Sequence, residues 1–350
     1  MANKTRKKRI GLKILLGIII VLVILLFAVL GMSKFGKIQL KSHTTEMAPT
    51  LGEEDIEEDW EEGWVRYKGE PYVYNEEILT FLFMGIDSLD AAKKSKDGTS
   101  GGQADGLFLI VMNPKDKTVN VIAMNRNMMA QVDVYDKNGV YQGQHLKQIT
   151  LQHGYGDGME ESCERTVSAI SRHLYNLPIN GYVAVNMGAI RDLNAAVGGV
   201  PLTVLEDIDY EYYGFRVKLD KGQEVTLNGD QAYVYISKRD YKQFDSASGR
   251  VERQKQYIDA FIPLAKQKIQ KDLSFAMDLY KAIEKYMVTD IEIPEFTYLV
   301  TEVLGYNFDA GNLITMPGET IMGEEFEEFY VDEEALKEII MELFYEPAKQ

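Results

Sequence analysis

The stretch Leu79-Thr-Phe-Leu-Phe-Met-Gly-Ile-Asp87 is an apolar run that ends in a glycine and an acidic residue. Its length and its lack of charge are typical of a buried strand that runs into a turn. Two similar runs follow, Leu107–Met112 and Val119–Met124, separated by the turn residues of Asn113–Lys117. Three successive buried strands therefore predict the centre of one sheet.

Working outward, the pair Asn138-Gly139 lies between two short alternating runs and is a strong hairpin signal. Apolar spacing predicts helices over 162–174, 187–196, 230–236, 249–271, 273–287, 294–304 and 332–344. Strands and helices do not alternate regularly, so a wholly parallel sheet is not expected. We predict an α/β fold, an α/β/α sandwich whose central mixed, largely antiparallel sheet is flanked by helices, in a single domain over 78–345.

The N-terminus predicts a membrane protein. Residues 14–33 are uncharged and apolar, which is long enough for one N-terminal transmembrane helix. Six Lys or Arg precede this run and two follow it, so residues 1–13 are expected to be a cytoplasmic basic tail and the rest to be extracellular. A cleaved signal peptide is the alternative, although the run is long for one and lacks an A-x-A site.

Charge separates the chain into two parts. The first 40 residues hold eight basic and no acidic groups, which leaves 30 basic against 54 acidic, or −24, for the other 310. So acidic a part is a poor candidate for nucleic-acid binding. Acidic residues crowd into 53–62, so we predict an acidic extracellular tether over 34–77. The single Cys163 excludes an intrachain disulfide and a multi-cysteine metal site.

Two aspartates lie at the ends of predicted strands, where catalytic and ligand-binding residues are often found. Asp87 ends the first strand and Asp105 precedes the second, so pairing of the two strands would bring both carboxylates to one edge. Carboxylates together with phosphate oxygens are the usual ligands of Mg²⁺. Each aspartate alone is more often a turn or capping residue. The common nucleotide-binding loops and the serine-hydrolase elbow are absent from the sequence.

Basic residues form a second signal. In Asp245-Ser-Ala-Ser-Gly-Arg-Val-Glu-Arg-Gln254, Arg250, Arg253 and Gln254 share a helix face close to the helix start. Cations there oppose the helix dipole unless an anion such as phosphate binds between them and the free N–H groups. Arg126, Lys147 and Arg239 also follow or interrupt apolar segments. For each of these basic residues, the alternative to anion binding is a solvated salt bridge on the surface.

The order of these motifs resembles the LytR-CpsA-Psr family. The resemblance covers about residues 78–340 and includes Gly85-x-Asp87, Asn113-Pro-Lys115, Gly229-Asp-Gln-Ala232 and Ser248-Gly-Arg250-x-x-Arg-Gln254. It implies an envelope phosphotransferase that moves an anionic glycopolymer, of the wall teichoic acid or capsular polysaccharide type, from a polyprenyl-pyrophosphate carrier to peptidoglycan. It also implies Mg²⁺, with Mn²⁺ as a substitute, an apolar cavity for the lipid, and a bacterial cell-membrane location.

Site residues carry over by position. Asp87 and Asp105 correspond to the metal ligands and, with Arg126, Arg239 and Arg250, to the catalytic residues. The pyrophosphate contacts implied by the resemblance are Arg126, Lys147, Lys238, Arg239, Arg250, Arg253 and Gln254. The chain departs from the family pattern at three positions: Gln103 and Ser237 stand where arginines are usual, and Asn127 stands where an aspartate is usual. These departures keep two rivals open, a non-catalytic polyprenyl-phosphate receptor or regulator and a pyrophosphatase that uses water as acceptor.

Overall fold

The computed structural model describes residues 33–42, 49, 51, 64–212, 215–239, 243–306 and 310–348. The strands are β1 (Trp64–Tyr67), β2 (Glu70–Tyr74), β3 (Leu79–Ile86), β4 (Ala104–Asn113), β5 (Thr118–Met124), β6 (Met129–Tyr135), β7 (Tyr141–Gln148), β8 (Gly181–Asn186), β9 (Val200–Thr203), β10 (Ile208–Tyr212), β11 (Phe215–Leu219), β12 (Glu224–Leu227), β13 (Met287–Thr289), β14 (Leu313–Thr315), β15 (Gly318–Met322), β16 (Glu327–Val331) and β17 (Tyr345–Pro347). The helices are α1 (33–42), α2 (Leu151–Gly154), α3 (Glu160–His173), α4 (Ala189–Val197), α5 (Gly229–Ser237), α6 (Ser246–Lys271), α7 (Ser274–Ile283), α8 (Ile293–Val303) and α9 (Glu333–Phe344).

The central sheet has the strand order β13-β8-β3-β4-β5-β14. The pairs β3–β4, β4–β5 and β8–β13 are antiparallel, whereas β3–β8 and β5–β14 are parallel. The three runs predicted as buried strands are β3, β4 and β5 at its centre, and nearly all their residues are buried. The prediction of a mixed, largely antiparallel sheet is therefore confirmed.

Each face of this sheet packs against a helical layer. On one face, Leu82 and Leu109 share a core with Ile170 of α3 and Leu336 of α9. On the other face, Phe108 packs in a cluster that includes Val251 of α6 and Tyr298 of α8. Burying a side chain of this size contributes about 1.5–3 kcal/mol, so both layers are held mainly by apolar contact. The predicted α/β/α sandwich is confirmed.

The long helix α6 begins three residues earlier than predicted. Asp245 precedes it with φ 57°, the left-handed region, and Ser246 is already helical. The Asp245 carboxylate accepts a hydrogen bond from the Ser248 hydroxyl at 2.6 Å and one from Thr320 at 2.5 Å. These contacts fix the position where α6 starts, and with it the position of Arg250.

The folded part extends beyond the predicted start at residue 78, which corrects the prediction of a tether over 34–77. In α1, Leu40 is fully buried, and β1–β2 pair with the C-terminal strand β17. The physical reason is that acidic repulsion is confined to 53–62, whereas Val65 and the tyrosines of β2 supply apolar surface to bury. Residues 52–63 lie outside the described part of the chain.

The predicted cytoplasmic tail, 1–13, and the predicted transmembrane span, 14–33, also lie outside the described residues, apart from Ser33. Within the ranges that are described, no helix combines the length and the apolar character that crossing a bilayer requires.

Candidate functional site

A bulge where β3 and β4 pair brings the two predicted acidic residues to one end of the sheet. Gly85 pairs with Gly106 but Ile86 pairs with Ala104, so Asp105 is an extra residue in the ladder. Such bulges change the direction of a side chain at a sheet margin. The Asp87 N–H donates to the carbonyl oxygen of Gln103 at 3.0 Å, which holds the end of β3 beside Asp105.

Asp105 is the centre of a buried charge cluster. Its Oδ1 lies 2.5 Å from Nη1 of Arg126, and its Oδ2 accepts a hydrogen bond from Nη1 of Arg250 at 2.9 Å. Arg250 is 1% exposed and Asp105 7% exposed, so solvent screens these charges little. Because two guanidinium groups share one carboxylate, these three groups together carry a net charge of +1. The interpretation of Arg250 as a solvated surface arginine is therefore wrong.

Arg250 also has a donor to spare. Its Nη1 reaches the carbonyl oxygen of Ser237 at 3.5 Å, but its buried Nε makes no hydrogen bond with any residue in the described ranges. A buried N–H without an acceptor is costly, and such groups recur at ligand sites. An anion at this position would supply the missing acceptor and balance the excess charge.

Arg239 is held beside this cluster by an acidic residue that the sequence motifs did not single out. Its Nη1 lies 3.5 Å from Oε2 of Glu327 in β16 and 3.4 Å from the Ser246 hydroxyl. Glu327 Oε1 also accepts a hydrogen bond from the backbone N–H of Asp245 at 2.9 Å. Glu327 therefore connects Arg239 to the start of α6. In the sequence it is one of four acids in 324–328, and nothing marks it.

Arg253 and Gln254 hold α5 against α6. Nη1 and Nη2 of Arg253 donate to the carbonyl oxygens of Tyr235 and Lys238, and its Nε lies 2.9 Å from Glu206 Oε1. Gln254 donates to the carbonyl oxygen of Ile236 at 3.0 Å. Burial lowers the pKa of Arg253, Glu206 raises it, and the neighbouring arginine lowers it further. These contacts favour a structural role for Arg253 over the predicted contact with pyrophosphate.

The two predicted lysines differ in their surroundings. Lys238 Nζ lies 5.1 Å from the ring centroid of Tyr233 and 5.4 Å from that of Tyr210. Burial alone would lower the pKa of Lys238, but its contact with Tyr233 and the charge of Asp87 raise it overall. Lys147 is half-buried on β7, opposite Ala130. Within the described part of the chain it makes no hydrogen bond or ion pair with Asp105. Lys238 thus belongs to the cluster's margin, and Lys147 does not contact it.

The three departures from the family pattern supply no replacement charge. Gln103 accepts a hydrogen bond from Nη2 of Arg126, so it orients that guanidinium group. The Asn127 amide is buried and lies 3.5 Å from Glu327 Oε2. The Ser237 hydroxyl donates to its own helix, at the carbonyl oxygen of Tyr233. Arg126 and Arg250 therefore carry the charge of this cluster next to Asp105.

An apolar cavity of about 320 Å³ opens between the sheet and α6, beside the charge cluster. The sheet contributes Phe83, Phe108 and Ile110 to its lining, and α6 contributes Tyr257, Ile258 and Phe261. Gly106 and Gln254 line its polar end. Gly106 directly follows Asp105 in the chain, and Gln254 lies one helical turn after Arg250. A molecule with an anionic head and an apolar tail would match both regions.

A second cavity, of about 630 Å³, begins at Asp87 and is polar. Lys93, Lys94 and Lys96 line it together with Asp87 and Asn186. Lys93 pairs with Asp90 at 3.0 Å and Lys94 with Asp157 at 3.3 Å. Lys96 is exposed and makes no ion pair within the described residues. Asp97 also lines the cavity, so its charges are mixed, and it is suited to a hydrated, polar ligand rather than to a lipid.

The described ranges contain no group of three or more His, Cys, Asp or Glu side chains that could hold a metal by themselves. Asp87 is exposed, and its carboxylate makes no hydrogen bond to a described residue. The Asp105 oxygen atoms each accept one guanidinium contact, Oδ1 also accepts a hydrogen bond from the Thr150 hydroxyl at 3.5 Å, and a carboxylate has about four lone-pair sites. An oxygen donor set of this kind fits Mg²⁺ when phosphate oxygens complete the coordination, and does not fit a softer metal.

Comparisons with known proteins agree with this geometry. The profile of the LytR_cpsA_psr family matches residues 35–344. The polyisoprenyl-teichoic acid–peptidoglycan teichoic acid transferase TagU of Enterococcus faecalis is 26% identical over 230 residues, 65% of this chain and 66% of that protein. Biofilm regulatory protein A of Streptococcus mutans is 28% identical over 243 residues, 68% of this chain and 56% of that protein. The matched region thus spans less than two thirds of either relative.

A solved structure extends the agreement to three dimensions. The crystal structure of B. subtilis TagV superposes with a TM-score of 0.57 at 25% identity, and the match covers 77% of this chain and 97% of that one. The resemblance drawn from the motifs is confirmed, because the family profile covers most of the chain. The chain belongs to the LytR-CpsA-Psr family.

Proposed function

We propose that this protein is a membrane-anchored extracellular phosphotransferase. Its donor would be an anionic glycopolymer, of the wall teichoic acid or capsular polysaccharide type, carried on a polyprenyl pyrophosphate. Its acceptor would be a hydroxyl group of peptidoglycan. Membership of the family and the transferase named among the relatives support this reaction class.

One observation carries the proposal: the buried Asp105–Arg126–Arg250 cluster adjoins the polar end of an apolar cavity. A polyprenyl pyrophosphate combines two negative charges with a long hydrocarbon tail. The tail would replace water against apolar walls, and the pyrophosphate would meet the net positive charge of the Asp105–Arg126–Arg250 cluster and the buried Nε of Arg250, which lacks an acceptor within the described residues.

The chemistry would be an in-line displacement. The acceptor oxygen forms a bond to the phosphorus nearer the glycan, and the bond from that phosphorus to the bridging oxygen breaks, which releases polyprenyl monophosphate. Arg126, Arg239 and Arg250 neutralise charge on the phosphoryl and leaving oxygens, and such preorganised donors are often worth about 10²–10³ in rate.

The proton of the attacking hydroxyl needs an acceptor, and Asp87 is better placed for this than Asp105. Both oxygens of Asp105 already contact guanidinium groups, whereas the Asp87 carboxylate is exposed. Asp105 would then orient the arginines. Mg²⁺, or Mn²⁺ in its place, would be held by pyrophosphate oxygens with Asp87 and the remaining lone pairs of Asp105. When bound it would withdraw charge from the reacting phosphoryl group, and it would also make Asp87 a weaker base.

The polar cavity beside Asp87 is the proposed route of the glycan. It begins at the same strand end as the charge cluster, and its lysines would attract a chain of sugar phosphates in an otherwise acidic domain. The lipid and the glycan would thus leave the pyrophosphate in different directions, one into each cavity.

The test uses the purified full chain, Mg²⁺, a polyprenyl-pyrophosphate glycan and peptidoglycan. Release of lipid phosphate together with glycan bound to peptidoglycan is expected, and Arg250→Lys should lower the rate at least about tenfold because one fork of donors is lost. Lys115→Ala, an exposed site that pairs with Glu346, is the control and should be unchanged.

The same assay distinguishes the rivals. Binding of the lipid without release would favour a receptor or regulator, a role to which the name of the S. mutans relative points. Release without attachment to peptidoglycan would indicate a pyrophosphatase. Equal activity of Arg250→Lys and Lys115→Ala would exclude the proposed site.

A further inference from the structure

The helix that carries Arg250 begins in an unfavourable backbone conformation. Asp245, the residue before α6, has φ 57° although it is not a glycine. Such a conformation persists where neighbouring groups hold it, and it is commonest at functional sites. Two residues of the β15–β16 hairpin hold it here. The Thr320 hydroxyl donates to the Asp245 carboxylate at 2.5 Å, and Glu327 Oε1 accepts a hydrogen bond from the Asp245 N–H at 2.9 Å.

Glu327 also reaches two other parts of the site. Its Oε2 lies 3.5 Å from Nη1 of Arg239 and accepts a hydrogen bond from the Asn127 amide at 3.5 Å. Asn127 directly follows Arg126 in the chain. The side chains of Glu327 and Arg239 are each 13% exposed, so solvent screens their charges only in part. One carboxylate thus joins the segment after β5, the segment after α5 and the start of α6.

The next acid along the chain has different surroundings. Side chains alternate between the two faces of a strand, so Glu327 and Phe329 lie on one face of β16 and Glu328 on the other. Phe329 is buried, whereas Glu328 accepts a hydrogen bond from the exposed Tyr330 hydroxyl at 2.8 Å. Glu328→Gln therefore removes the same charge one residue away and leaves the contacts of Glu327 intact.

The charge of Glu327 opposes the binding of an anion. The Asp105–Arg126–Arg250 cluster carries a net charge of +1. Glu327 cancels the further charge that Arg239 would add to it. A carboxylate in this position weakens the attraction for pyrophosphate, so ground-state affinity does not explain its presence. What Glu327 does provide is a fixed direction for a guanidinium group, and fixed donors stabilise charge that develops during a reaction without reorganising.

We propose that Glu327 is a positioning residue for phosphoryl transfer and that it acts through Arg239. In the displacement set out above, the leaving polyprenyl phosphate gains one negative charge, and Arg239, held by Glu327, meets that charge. Glu327 offsets the attraction of Arg239 for the pyrophosphate before the reaction, so more of the effect of Arg239 is expressed in the transition state. The role rests on the proposed function, since it concerns the same reaction.

The test compares Glu327→Gln with Glu328→Gln in the purified full chain. Glutamine keeps the shape of the side chain and an oxygen that can accept from the Asp245 N–H, but it removes the charge that faces Arg239. Calorimetry measures the Kd for inorganic pyrophosphate. Steady-state assays measure kcat for transfer of the glycan from its polyprenyl-pyrophosphate carrier to peptidoglycan, and thermal unfolding shows the folded fraction of each variant.

Glu327→Gln should bind pyrophosphate at least about threefold more tightly than the wild type. Its kcat should fall at least about fivefold, because Arg239 is no longer held. A purely structural role would lower the folded fraction and leave the Kd of the folded protein unchanged. Glu328→Gln should match the wild type in both measurements. Unchanged or weaker binding by Glu327→Gln, an unchanged kcat, or the same changes in Glu328→Gln would each overturn the assignment.

A second variant decides the question if Glu327→Gln does not fold. Glu327→Asp keeps the charge but withdraws the carboxylate by one methylene group, so kcat should fall while the Kd for pyrophosphate stays within about twofold of the wild type. A wild-type kcat in this variant would refute the role. In an Arg239→Met background, Glu327→Gln should slow transfer no further, and an additional loss would show that Glu327 does not act through Arg239.

The proposed function and this role can fail separately. If the wild type binds pyrophosphate but transfers no glycan, the proposed function is refuted. If the wild type transfers glycan and Glu327→Gln shows neither the tighter binding nor the lower kcat, the proposed function stands and the role of Glu327 is refuted.

Discussion

Replacing Asp105 with asparagine tests the charge cluster directly. The carboxylate accepts from Arg126 through one oxygen and from Arg250 through the other. The asparagine amide keeps one acceptor, but it places an N–H donor against the second guanidinium group. The substitution changes neither volume nor shape appreciably, so any effect reports charge and hydrogen bonding.

The magnitude follows from burial. Arg250 is 1% exposed, so a guanidinium group that loses its partner cannot recover it from water. Breaking a buried pair in this way costs about 3–5 kcal/mol. In a domain of this size that corresponds to a fall in the melting temperature of very roughly 10 °C. Added inorganic pyrophosphate should restore more stability to Asp105→Asn than to the wild type, because the variant has one more uncompensated positive charge to satisfy.

The assay is thermal unfolding of the full chain in detergent, with and without pyrophosphate. Lys115→Met is the matched control, since Lys115 is exposed and its pair with Glu346 is screened by solvent. Its melting temperature should equal that of the wild type. If Asp105→Asn melts with the control, or if pyrophosphate stabilises the variant no more than the wild type, the cluster is not the buried anion site argued above.

Three further predictions concern the cavity, α5 and the buried histidines. Leu193→Trp, which fills part of the apolar cavity, should lower kcat/KM for a long polyprenyl substrate on the order of tenfold and spare a short-chain analogue; equal effects on both would exclude the cavity as the lipid site. Arg253→Met should lower the free energy of unfolding by about 3 kcal/mol in urea titrations yet leave pyrophosphate affinity unchanged by calorimetry, and weaker binding would reassign Arg253 to the anion. Burial holds the pKa of His153 below its usual 6.5, so the unfolded chain takes up a proton first and stability should fall as pH drops below about 6.5. His153→Gln should make the free energy of unfolding less dependent on pH. If the variant shows the same pH dependence as the wild type, His153 is not its source.

The centre of the fold could be predicted because its signals are local and repeated. The runs of β3, β4 and β5 are apolar at almost every position, and the Asn138-Gly139 pair alone fixes the β6–β7 hairpin, where Gly139 has φ 78°. The attachment of α1 could not be predicted. It depends on one glycine fitting against the Pro294 carbonyl, a contact between residues about 260 positions apart that leaves no periodic pattern in the sequence.

The sequence predicts which residue types come together at the candidate site, but not which contacts each residue makes there. Arg250 and Arg253 look equivalent in the sequence, and both are 1% exposed, yet one faces Asp105 and the other holds the carbonyl groups that end α5. The two are only about 60° apart around the helix, but about 4.5 Å apart along its axis, so each side chain meets a different neighbour. Glu206, which pairs with Arg253, and Glu327, which pairs with Arg239, lie in an acidic background that carries no local signal.

Gln103 and Ser237 occupy positions where the family resemblance predicts arginines, and Gln103 acts on one of the remaining arginines. Gln103 accepts a hydrogen bond from Arg126 where a cation would have repelled it, so the substitution removes a charge and also orients a neighbouring one. Two guanidinium groups around one carboxylate, Arg250 buried and Arg126 partly exposed, give these three groups a net positive charge where the apolar cavity begins. Fewer cations in a drier site can attract an anion as strongly as more cations in a wetter one, because the effective dielectric constant falls with burial. On this argument the predicted departures would leave anion binding to the Arg126–Arg250 pair, and Gln103→Arg, by placing a cation against Arg126, should weaken pyrophosphate binding rather than strengthen it.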